Sequence, residues 1–143
     1  MKLQDQVCTL EQAKILNDLG IKQGVSVFFF DTGSKNKILI NTGFEKELTG
    51  FFNFQTCFSA FTVAELGVML PQDEDENDEG PWYSLPDKGV DIIGFSVKKY
   101  LDSHYEGPCE IVYKTEAQAR AAMLIYLLEA DIITVKEVNE RLQ

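Results

Sequence analysis

The chain has 143 residues, with 23 acids against 13 bases and one histidine, a formal net charge of −10. That length suits one domain, and 45% hydrophobic residues suffice for a packed core, so wholesale disorder is excluded. With a pI near 4.5, a nonspecific DNA- or RNA-coating role is also excluded, because phosphate binding needs clustered Lys and Arg.

Residues 1–10 contain no apolar h-region, which predicts no secretory leader and a cytoplasmic location, whether bacterial or host. A first helix is predicted over residues 10–19, where Leu10, Ala13, Leu16 and Leu19 recur every third residue and Gly20 is a natural stop. Residues 25–31 (V-S-V-F-F-F-D) are β-branched and aromatic and read as a strand. A hairpin-length T-G-S-K-N connection leads to a second strand at residues 37–41. The phenylalanine-rich residues 51–58 supply a third. A second helix over residues 63–70 ends at Pro71, which cannot continue it. Residues 72–80 (Q-D-E-D-E-N-D-E-G) read as an exposed acidic loop. Ile93, Phe95 and Val97 alternate with polar or small residues as in a half-buried strand, and residues 110–114 are placed to pair with them.

The third helix, about residues 116–129, is apolar over most of its circumference, so it is expected to be central to the core. A fourth follows at residues 135–142, with Val135, Val138 and Leu142 on one face. All four helix starts carry one signature, Thr followed three residues later by Glu or Gln: Thr9 and Gln12, Thr62 and Glu65, Thr115 and Gln118, Thr134 and Glu137. In this capping box the hydroxyl accepts from an orphan N–H while the longer side chain reaches back. The predicted fold is α+β: a single domain over residues 1–143 with an antiparallel or mixed sheet of about 4–5 strands and four helices.

Several chemistries are improbable. The longest apolar run, residues 121–128, is too short to span a membrane, so no membrane contact is expected. Cys8, Cys57 and Cys109 are odd in number and far apart, as in reduced intracellular thiols. His104 is the only histidine, which excludes a multi-histidine zinc site within one chain. Neither a phosphate-cradling glycine loop nor a nucleophile elbow occurs. Cys109 and His104 lack the accompanying features of a thiolate pair. No catalytic residue and no cofactor is assigned.

Two readings of the acidic run stay beside that of a solvated loop. Asp73, Asp75 and Asn77 fall at the first, third and fifth positions of an EF-hand count, but Asp78 stands where glycine should and Ser84 where the bidentate Glu should. The same carboxylates suit an acidic decoy of a DNA-binding protein. Without the six acids of residues 73–79, 17 acids face 13 bases, a net of −4, so most of the excess is local. Nine phenylalanines crowd the first half of the chain. Phe28, Phe29 and Phe30 are consecutive, so one must face away from the others, and the sheet is covered on both faces or presents one to a partner. Trp82, Tyr83, Phe51 and Phe52 are the candidate interaction surface. Glu116 suits its helix's positive end, and Arg120 is spaced to pair with it.

Three strings carry a resemblance: C-T-L-E-Q-A-K-I-L-N-D-L-G-I-K-Q at residues 8–23, F-T-V-A-E-L-G-V-M-L-P at residues 61–71 and T-E-A-Q-A-R-A-A-M-L-I-Y-L-L-E at residues 115–129. In this order they resemble a group of phage and prophage proteins. The motifs are caps and core positions, so the resemblance brings no catalytic residues. It implies a small phage- or prophage-related accessory protein, read here as a non-catalytic module that binds a protein partner. A homodimer through exposed phenylalanine surface is a further expectation.

Overall fold

The computed structural model describes residues 2–41, 52–71, 85–87, 94–96 and 112–142. Helix α1 spans Leu10–Asp18, α2 Val63–Met69, α3 Glu116–Glu129 and α4 Val135–Arg141. Strands β1 (Phe28–Asp31), β2 (Lys37–Ile40) and β3 (Cys57–Ser59) form an antiparallel sheet in the order β2-β1-β3. Strands β4 (Leu85–Asp87), β5 (Gly94–Ser96) and β6 (Val112–Tyr113) form a second, in the order β4-β5-β6. The fold is α+β, and the four helices lie where the sequence places them.

The described strands are divided between two three-stranded sheets, not gathered in one of four or five. The predicted third strand is cut to three residues because Asn53 turns the chain, its carbonyl accepting from Thr56 N (3.0 Å) and Cys57 N (2.7 Å). The other sheet gains an unforeseen strand. Leu85–Asp87 contains Pro86, which reads as loop in sequence, but β4 is an outer strand, where a missing N–H is tolerated. The expected pairing of β5 with β6 is present, with Phe95 opposite Tyr113 and Ser96 opposite Val112. The acidic residues 72–80, Trp82, Tyr83, Phe51, His104 and Cys109 lie outside the described residues.

Each Thr hydroxyl accepts the expected backbone N–H, from Gln12, Glu65, Gln118 and Glu137. At Thr9, Thr62 and Thr134 the reciprocal bond completes the box. The Thr134 N–H, donated to Glu137 at 2.9 Å, holds that carboxyl below its ordinary range. Helix α1 ends as predicted, with Gly20 at φ 98°, a conformation costly for residues with a Cβ.

Helix α3 is the centre of the core. Ala117, Ala121, Met123, Leu124 and Leu127 are buried within the cluster that also takes in Leu16 of α1, Leu66 of α2 and Val138 of α4. The helix packs against α1, α2, β5 and β6. The three consecutive phenylalanines divide as pleating requires. Phe28 and Phe30 face this cluster, whereas Phe29, on the other face, is fully buried and meets the Phe52 ring edge-on at 5.5 Å.

Arg120 joins α3 to α2. Its Nε donates to Glu116 at 3.0 Å, the predicted i,i+4 pair, and its Nη1 donates to the Val63 carbonyl at 3.1 Å. The guanidinium lies directly over Gly67, where an added Cβ would overlap Nη1. Polar clamps complete the packing. Gln12 donates to the Gln118 carbonyl (2.9 Å), Arg141 to the Met69 carbonyl (2.9 Å), and Asn139 bridges Gly20 O and Lys22 N.

Leu124→Ala should cost about 2–5 kcal/mol in denaturant unfolding, the range for emptying a central core position; a loss below about 1 would displace α3 from the centre. Gly67→Ala gains about 1 kcal/mol of helix propensity but dislodges charge-assisted bonds of about 1.5–3 kcal/mol. The expected outcome is a net loss of about 1 kcal/mol that disappears in an Arg120→Ala background. Equal effects in both backgrounds would separate the two sites.

Candidate functional site

The described surface has an open cleft of about 710 Å³ beside β2. One wall is the continuous stretch Lys35, Asn36, Lys37, Ile38 and Leu39; the other is Lys2, Leu3 and Gln4; Phe30 contributes to the floor.

Local chemistry builds both walls. At the end of β1 the Asp31 carboxylate accepts from Gly33 N (3.0 Å), and Thr32 donates its N–H (3.0 Å) and its hydroxyl (2.6 Å) to the Thr56 carbonyl. The chain makes a short 3-10 turn over Thr32–Ser34, then passes through two left-handed residues, Lys35 (φ 57°) and Asn36 (φ 58°). Asparagine accepts that conformation readily; lysine does so at a cost. The opposite wall is a single 3-10 turn, Leu3–Asp5. It is tied down just behind, where Cys8 N donates to Phe61 O (2.9 Å) and Val63 N to Gln6 O (3.2 Å).

The cleft has an apolar interior and a cationic rim. Phe30 is almost fully buried, Leu3, Ile38 and Leu39 are half-buried, and Lys2, Lys35 and Lys37 are exposed. Three lysines therefore line one depression of a chain whose net charge is −10. No carboxylate, imidazole, thiol or hydroxyl side chain is among the described residues that line it. The arrangement offers charge and shape.

Of the residues singled out in sequence, Phe52 is described, packed between Phe29 and Phe54, the latter ring at 4.9 Å. Asp73, Asp75, Asn77, Trp82, Tyr83 and Phe51 lie outside the described residues. Sequence reasoning missed the cleft itself. Lys35 and Lys37 read as ordinary turn and strand-end charges, and nothing in the sequence places Lys2 opposite them. The K-I-L-I run of residues 37–40 carries no alternation that would mark an open strand edge.

Among the described residues no group of three or more His, Cys, Asp or Glu could hold a metal ion. No described helix is long and apolar enough to cross a membrane. No protein-family model matches the chain, and neither a curated protein nor a solved structure matches it.

Cys8 lies behind the cleft wall and is 1% exposed. Burial pushes its thiol from 9.0 up to about 12, helped by the Glu65 carboxylate. Thiol reagents should therefore leave Cys8 unmodified in the folded protein at pH 8 and modify it on unfolding, as peptide mapping by mass spectrometry would report. The linked stability is constant below about pH 9. It falls as pH rises from 9 towards 12, because the unfolded thiol ionises first. Rapid native labelling of Cys8 would contradict its burial.

Proposed function

We propose that the chain is a non-catalytic accessory module that binds a protein partner, and that the partner sits in the lysine-rimmed cleft beside β2. The observation that carries this reading is the cleft's composition: an apolar floor framed by Lys2, Lys35 and Lys37. A desolvated apolar centre inside a polar rim is the anatomy of protein interfaces. The cationic rim steers and orients an oppositely charged partner, and it does so against a chain that otherwise repels one. The resemblance to phage and prophage proteins supports a phage-encoded accessory role in a bacterial host.

The test compares two immobilised baits in a host-cell lysate. The wild-type chain should retain a protein that the triple variant Lys2→Glu, Lys35→Glu, Lys37→Glu does not. All three side chains are exposed, so the variant should keep the wild-type circular dichroism. Equal retention by both baits, or retention by neither, overturns this reading.

A further inference from the structure

The lining of the cleft defines how its occupant is bound. Successive side chains of a strand point to opposite faces, so Lys37 and Leu39 lie on one face of β2 and Ile38 on the other. All three line the cleft, together with Lys35 and Asn36 of the turn. Lining residues from both faces of β2 bring the depression to that strand's edge, and Phe30 of β1 extends it over the face that carries Ile38.

That edge is the outer one. β2 pairs with β1 on one side, from Lys37 opposite Asp31 to Ile40 opposite Phe28. Among the described residues no strand pairs with its other side. An unpaired strand edge presents alternating N–H and C=O groups that bind an extended chain. The four residues of β2 offer about 13 Å of such edge at 3.3 Å per residue.

We propose that the partner contributes an extended acidic segment, which adds to the outer edge of β2 as a fourth strand. This rests on the protein-binding reading above. The occupant's chemistry follows from charge and alternation. Its carboxylates, on every second residue, reach Lys2, Lys35 and Lys37. The intervening side chains are apolar and pack on Leu3, Phe30 and Ile38. Main-chain hydrogen bonds to β2 supply affinity, and the alternating side chains supply selectivity.

The probe is a fluorescein-labelled eight-residue peptide alternating Glu and Val, capped at both ends, titrated with the full chain and read by anisotropy. Saturable binding is expected, weakening at least about tenfold with Lys35→Gln, Lys37→Gln. A comparable loss is expected when alternate backbone amides of the peptide are N-methylated, which keeps its charge and removes its edge hydrogen bonds. Undiminished binding of the N-methylated peptide would make the cleft a simple anion site and overturn strand addition. Equal binding of a Lys-Val peptide, or no saturable binding up to about 1 mM, would overturn it too. So would self-association in sedimentation that Lys37→Gln abolishes, because it gives the edge to a second copy. If the peptide fails while the wild-type bait still retains a host protein that the triple variant loses, the strand-addition inference falls and the protein-binding reading survives.

Discussion

The Glu65 carboxylate joins three parts of the chain that would otherwise be independent. One oxygen accepts from Thr62 N (2.8 Å) and from the buried Ser26 hydroxyl (2.9 Å); the other accepts from Val27 N (2.9 Å). It thus caps α2, fixes the approach to β1, and holds the sheet against the helix that carries Leu66 and Met69 into the core. Around it Ser59 N donates to Gln23 (2.9 Å), Gly24 N to the Ser59 hydroxyl (2.9 Å), and Asn41 to the carbonyls of Gly24 and Ser26. Residues 23–27 are therefore held mainly by side chains, with one backbone bond to the neighbouring segment, from Asn41 N to Val27 O (2.7 Å). This is why β1 begins at Phe28, later than the V-S-V-F-F-F-D run predicts. A charged acceptor shared among several donors resists local fraying more than separate neutral bonds do.

The helices were legible in sequence because their signals are local. A Thr with Glu or Gln three residues on, then apolar periodicity, specifies where a helix starts and which face it buries, without knowledge of the rest of the chain. The position of α3 was legible for a similar reason: a helix apolar around most of its girth has no solvent face to offer. Sheet organisation was less legible. A three-residue strand such as Cys57–Ser59 is too short for periodicity to mark its limits, and Pro86 argues against a strand except at an edge. Only knowledge of the neighbours distinguishes those cases.

The cleft was not legible because it is a meeting of distant residues. Its cations stand at positions 2, 35 and 37, joined by the return of the first residues to α2 and by the turn between β1 and β2. Taken singly, each is a surface lysine. The acidic run drew attention in sequence because contiguous like charges are conspicuous, whereas three amines brought together by folding leave no linear trace.

The clamps between the two ends of the sequence have a kinetic consequence. Gln12 reaches the carbonyl of Gln118, 106 positions later, and Asn139 reaches back 119 positions to Gly20. Helix α1 can form early from its own capping box, yet its polar partners are synthesised more than a hundred residues later. During translation, which proceeds at about 5–20 residues per second, the first helix must wait several seconds with Ala13 and Leu16 uncovered by α3. The nascent chain therefore leaves that face of α1 uncovered until α3 has left the ribosome, and the contacts between them close over a long range of sequence.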